Sequence, residues 1–202
     1  MKNSINLKRS RINVTDFAKA ENIEVMNDLD LTEYNITKLP DGFKVKGSLD
    51  IRGLPITELP KRLYVKNNLF MAGTKITQLP EDLKVGGGLY LSGGRYLKST
   101  PIAELPNNLK VGEGLYLDGT PITHLPDDLK VMGSLGLRGT KITHLPNDLK
   151  VGRSLDLTDT AITCLPGGLC VFGDLFLGGS KVTELPSDLC VLGDILLNKS
   201  DY

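Results

Sequence analysis

Six positions in every twenty residues of this chain stay apolar. In the segment Leu129–Pro146, LKVMGSLGLRGTKITHLP, they are Leu129, Val131, Leu135, Leu137, Ile142 and Leu145. The same phrase reads LKVGEGLYLDGTPITHLP one step upstream and LKVGRSLDLTDTAITCLP one step downstream. A Leu-Pro pair recurs at Leu39, Leu59, Leu79, Leu105, Leu125, Leu145, Leu165 and Leu185, every twenty residues apart from one step of twenty-six. The valine column, from Val25 and Val45 through Val171 and Val191, never changes. Columns of this kind arise when equivalent residues of successive coils stack and fill one shared core, so the pattern predicts a repeat solenoid. Within each coil, Leu-x-Leu is the period-two mark of a short strand. Nine such pairs, from Leu29/Leu31 to Ile195/Leu197, predict nine parallel strands about 4.8 Å apart. The Gly-Thr after each pair and the proline after the next leucine turn the chain. Asp127 and Asp128 after Pro126 suit a tight helical turn, with no room for a real helix.

These residues resemble bacterial leucine-rich repeats of the short LPX type, as in the repeat regions of YopM-like and IpaH-like effectors. The resemblance covers about residues 20–202. It implies leucine-rich repeats with a parallel sheet on the concave face and a mostly irregular convex side, in about nine coils. It also implies a non-catalytic scaffold that binds a protein through the concave face, as a bacterial effector or a phage-carried inhibitor of a host protein would. Two departures matter. Where that family carries a ladder of asparagines, this chain has Thr74, Thr100, Thr120, Thr140, Thr160 and Ser180, whose hydroxyls are expected to bond neighbouring turns. The phrase L-x-V-x-G-x-L-x-L also puts a glycine where the family places a leucine, which leaves open a second strand at Leu129/Val131 and a coil partly like a β-helix. IpaH-like effectors add a ubiquitin-ligase domain with a catalytic Cys-x-Asp. No Cys-x-Asp occurs among these residues, so ligase activity is not expected.

Residues 1–22 do not follow the repeat and are expected to cap the first coil of a solenoid spanning 23–202. Lys2, Lys8, Arg9 and Arg11 make this segment basic, so a partner-touching arm is the competing reading. The six extra residues lie near Gly93 to Ser99, after the strand Leu89–Leu91. Loops inserted into repeats often bind, which makes Arg95, Tyr96 and Lys98 candidates, although a neutral insertion accounts for them as well.

Function must lie in the columns that vary. The residue between the two strand leucines points outward, and down the array it reads Asp30, Asp50, Phe70, Tyr90, Tyr116, Gly136, Asp156, Phe176 and Leu196. Phe70, Tyr90 and Tyr116 form an aromatic strip, Gly136 is expected to leave a gap beside it, and Arg52 and Arg138 lie one step along on the same face. Exposed aromatics beside arginine are the residue types that dominate protein interfaces. The ordinary explanation is that stacked rings merely brace a thin sheet. A second concentration, Phe172, Phe176, Leu192 and Leu196 with Tyr202, marks the C-terminal end. It supports the alternative of a structural self-association module that dimerises there.

Chemistry adds little. The column Glu104, His124, His144, Cys164, Glu184 holds metal-ligand types. It also holds Lys38, Glu58 and Gln78, as an ordinary solvated position does, so no metal and no cofactor is expected. No GxGxxG or P-loop sits at a strand–helix junction and no nucleophile–histidine pair stands out, so no enzymatic activity is expected. The 24 basic and 24 acidic residues balance, which gives no global argument for nucleic acid or membrane. Residues 1–100 carry sixteen basic against eleven acidic residues and residues 101–202 eight against thirteen, a dipole of about +5 and −5 along the rod. Three late cysteines, Cys164, Cys170 and Cys190, argue against a secreted disulfide framework. With no signal-peptide core and no apolar run near the roughly 18 residues of a membrane span, a cytoplasmic location is expected.

Overall fold

A computed structural model describes residues 22–94 and 96–197. The repeat builds a parallel β-solenoid of about nine coils with no helix among the described residues. Each Leu-x-Leu supplies a two-residue strand, the first being Leu29–Asp30 and the last Ile195–Leu196, and nine of them form one parallel sheet in chain order. Register is fixed column on column: Leu69 pairs with Leu89, Leu115 with Leu135, Leu155 with Leu175. At about 4.8 Å per strand the sheet runs roughly 38 Å along the solenoid axis.

A second ladder runs beside it. Lys44–Val45, Lys84–Val85, Lys110–Val111 and their equivalents form a five-stranded and a three-stranded parallel sheet, joined through isolated bridges at Val131. In most coils a second short strand therefore forms in the L-x-V segment, with only isolated bridges at Val131. The stretch from the following turn to the proline carries no strand among the described residues and stays irregular. The residue after this valine varies from Gly86, Gly112 and Gly152 to Lys46, Lys66, Phe172 and Leu192, so the ladder does not depend on a small side chain there. The inter-coil backbone bond is the same with either kind of residue: Gly86 N–H donates to Val65 O and Phe172 N–H to Val151 O, both at 2.9 Å.

The core is the sum of the invariant columns. Val45, Leu69, Ile76, Leu89, Leu115, Ile122, Leu135, Val151, Leu155 and Ile162 are all buried in one continuous cluster. Corners are set locally. After the long-sheet strand, Gly53, Gly73, Gly119, Gly139 and Gly179 hold left-handed backbone, and Asp159 takes the same position at φ 58°. After Pro80, Pro106, Pro126 and Pro186 a tight turn closes, with Leu83, Leu109, Leu129 and Leu189 donating their N–H to the proline carbonyl three residues back. After Pro40, Pro60, Pro146 and Pro166 the turn instead uses left-handed backbone at Gly42, Arg62, Asp148 and Gly168.

The threonine column does not tie coils together. Thr74, Thr120, Thr140 and Thr160 are buried, and each Oγ1 donates to the carbonyl three residues back in its own coil, at 2.8, 2.6, 2.7 and 2.7 Å. A hydroxyl is too short to reach the next coil while its own turn offers an acceptor, so the expected inter-turn ladder is replaced by a closure of each turn.

Candidate functional site

The outward column of the long sheet lies where the alternation of strand side chains puts it. Phe70, Tyr90 and Tyr116 head neighbouring strands in exact register, Phe70 opposite Tyr90 and Tyr90 opposite Tyr116. Their rings stack: Phe70 and Tyr90 have centroids 4.6 Å apart at 27°, Tyr90 and Tyr116 4.5 Å apart at 13°. This matches the strand spacing, so the rings stand side by side along the axis and turn their edges to solvent. All three are half-buried. Burial against its neighbours is the main cause that raises the Tyr90 phenol above its usual pKa, followed by the nearby Tyr116 hydroxyl and the charge of Glu113.

Two glycines seat the tyrosines. An added Cβ at Gly88 would lie 2.7 Å from a ring carbon of Tyr90, and one at Gly114 would lie 2.6 Å from a ring carbon of Tyr116. Each ring leans back over the residue two places before it on the same face. Down the array that position reads Asp28, Ser48, Asn68, Gly88, Gly114, Ser134, Ser154, Asp174 and Asp194, and glycine occurs only beneath the two tyrosines. The signal was present in the sequence and is visible only when the two columns are read together.

The strip has polar ends of opposite character. At the first end, Arg52 lies 5.5 Å from the Phe70 ring centroid and makes a charge-assisted pair with Asp50, Nη2 to Oδ2 at 2.5 Å and Nε to Oδ1 at 2.9 Å. At the other end the gap expected at Gly136 is filled. The missing Cβ leaves room for the Asp118 carboxylate, whose Oδ2 lies 2.7 Å from where that Cβ would stand. Asp118 Oδ1 accepts the Arg138 backbone N–H at 2.9 Å, which draws the side chain forward over the next coil. Burial raises the Asp118 pKa above the usual carboxylate range, and the charge of Asp156 adds to this, while the Arg138 N–H opposes it. The Arg138 guanidinium is on the same face and reaches 4.0 Å from Asp159.

The insertion rejoins the ladder without disturbing it. Gly73 N–H, which in a regular coil would bond to the residue nineteen places on, donates to Lys98 O at 2.7 Å instead. Ser99 Oγ accepts from Gly93 N–H at 2.9 Å and donates to Asp118 O at 2.6 Å, closing the neck of the loop. Leu97 folds back toward the turns at Gly53 and Gly73. Tyr96 is 94% exposed, so it stands clear of the stacked strip. Arg95 lies outside the described residues, as do Tyr202 and most of the 1–22 segment.

At the C-terminal end Phe172 and Leu192 are exposed just after two paired strands of the three-stranded sheet, whereas Phe176 and Leu196 are half-buried on the long sheet and paired in register. The strip and this group therefore occupy different coils. His124 and His144 each have Nδ1 near the hydroxyl of the preceding threonine, at 3.2 and 3.1 Å. Among the described residues no group of three or more His, Cys, Asp or Glu is placed to hold a metal ion, and no helix is long and apolar enough to cross a membrane. No protein-family model, curated protein or solved structure matches this chain.

Proposed function

We propose that this chain is a non-catalytic, leucine-rich-repeat-like scaffold that binds a protein partner through the outer face of its long sheet. One observation carries the reading: Phe70, Tyr90 and Tyr116 form a half-exposed stack bounded by Arg52 and Asp118, although nothing in the repeat requires an outward aromatic. Stacking locks the rings before any partner arrives, so less side-chain freedom is lost on binding. Asp50, Arg52 and Arg138 supply a polar rim, and the exposed Tyr96 of the inserted loop, with Arg95 beside it in sequence, is a further candidate contact. The resemblance to LPX-type repeats favours an effector or inhibitor acting on a host protein, since a rigid scaffold needs no chemistry to block or sequester. The test is affinity capture from host lysate with the full chain and with Phe70→Ser/Tyr90→Ser/Tyr116→Ser. Loss of a specific protein with the triple variant, at unchanged circular dichroism, is the expected result. Retention of the same proteins by both would refute the assignment of this face.

A second reading is self-association through the C-terminal coils. It draws on Phe172 and Leu192, 52% and 69% exposed, each directly after one of two paired strands. Sedimentation as a dimer that Leu192→Asp turns into a monomer, with capture by the aromatic strip absent, would favour it over the first.

A further inference from the structure

Cys170 and Cys190 begin the strands Cys170–Val171 and Cys190–Val191, and the two residues are direct partners in the parallel ladder. Neighbouring strands bring Cα atoms to about 4.8 Å, inside the range of about 4.4–6.8 Å that a disulfide spans. Their Sγ atoms face each other at 2.6 Å, so closing to a bond of about 2.05 Å needs a movement of roughly half an ångström. Both are free thiols and half-buried, open to a small reagent from the outer side of the sheet. The repeat does not ask for cysteine there. The same column reads Glu24, Lys44, Tyr64, Lys84, Lys110, Lys130 and Lys150 before the two cysteines.

The surroundings show what a bond at this place would do. In the eighth coil Leu169, Val171 and Leu175 are fully buried, whereas of their counterparts in the ninth Leu189 and Val191 are only partly buried and Ile195 is exposed. The ninth coil is held largely by ladder bonds, among them Cys190 N–H to Leu169 O and Leu192 N–H to Val171 O, each 3.0 Å. A covalent tie would act where the core contributes least.

We propose that Cys170 and Cys190 are a thiol–disulfide modification site, oxidised by a small disulfide such as oxidised glutathione to a reversible bond that staples the ninth coil to the eighth. One cysteine, as thiolate, attacks a sulfur of the small disulfide and forms a mixed disulfide, releasing one small thiolate. The second cysteine then attacks the protein sulfur of that mixed disulfide, closes the Cys170–Cys190 bond and releases the second small thiolate. The two protein protons end on the two released thiols, and the two electrons reduce the small disulfide. Contact with Cys190 raises the Cys170 thiol above its usual pKa, with burial adding to this and Lys150 opposing it, so the reaction quickens with rising pH.

The full chain, first reduced, is incubated with oxidised glutathione, alkylated and mapped by mass spectrometry without reduction. The expected product is a monomer with an intramolecular Cys170–Cys190 link and Cys164 outside it. Cys170→Ser should instead leave Cys190 as a lasting glutathione adduct. Amide exchange over residues 185–197 should slow at least about tenfold on oxidation of the parent and not change in Cys170→Ser. Separate glutathione adducts on both cysteines of the parent, or links between chains, would overturn the site. A Cys170–Cys190 link that leaves amide exchange unaltered would overturn the staple.

Discussion

Gly114→Ala tests whether the tyrosine strip is built into the scaffold or merely decorates it. The backbone at Gly114 is not in the left-handed region, so alanine suits it conformationally and should gain about 0.4–1 kcal/mol by restricting the unfolded chain. The new Cβ, however, would lie 2.6 Å from a Tyr116 ring carbon, and ordinary contact begins near 3.4 Å, so the ring must retreat by about 0.8 Å. That displacement breaks the close stack on Tyr90, now 4.5 Å and 13°, worth about 0.5–1.5 kcal/mol. Gain and loss nearly cancel. Global stability should therefore move by less than about 1 kcal/mol. The near-ultraviolet circular dichroism of the coupled rings should weaken clearly, more so in Gly88→Ala/Gly114→Ala. Gly94→Ala is the control, because a Cβ there meets nothing within 4 Å. A near-ultraviolet spectrum that overlays the parent, with far-ultraviolet signal and melting also unchanged, would show that the rings do not rest on these glycines.

Other substitutions probe the rest of the frame. Leu135→Ala removes a fully buried side chain from the middle of the array and should cost about 2–5 kcal/mol in denaturant unfolding; a loss below 1 kcal/mol would contradict a continuous core there. Arg62 holds left-handed backbone at φ 59°, so Arg62→Gly should raise stability by up to about 1 kcal/mol, and any clear loss would count against strain at this corner. Asp118 has a raised pKa in the fold, so the folded state binds more protons than the unfolded one between the ordinary value of 3.8 and the raised one. Stability from this group is full below that ordinary value and is lost as pH rises through the folded pKa. Asp118→Asn should flatten that fall in acid-range melting curves, and an identical pH profile for parent and variant would exclude the effect.

The period, the coil number and the strand pairs were legible because each rests on a column that packs on itself. The outward aromatic strip was legible for the same reason: equal spacing in sequence becomes adjacency in space. What escaped depends on side-chain direction within a coil. That Tyr90 and Tyr116 lean toward Gly88 and Gly114, and that Asp118 reaches over Gly136, follows from rotamers and not from a single column. The threonine hydroxyls were misread because spacing shows only that equivalents stack, not which acceptor is nearer. Thr120 Oγ1 finds Leu117 O at 2.6 Å within its own turn. The second ladder was only half legible, because its backbone bonds form alike whether the residue after the valine is Gly86 or Phe172.

A solenoid with one backbone repeated nine times can distinguish its coils only by side chains that leave the core. That constraint turns the bounds of the aromatic stack into information. At its first end Asp50 fixes Arg52 beside Phe70, so the strip stops at a guanidinium already engaged by a carboxylate. At its far end Gly136 gives up its side chain and Asp118 takes the space, so the strip stops at a partly desolvated acid. Three ring edges alone are too little surface for a standard interface, which covers about 800 Å² on each partner. A partner of the proposed kind must therefore span the flanking coils, and it meets a paired cation on one side and a carboxylate, with Asp156 behind it, on the other. Those ends can set the direction in which a partner lies along the rod, while the rings set how tightly it is held.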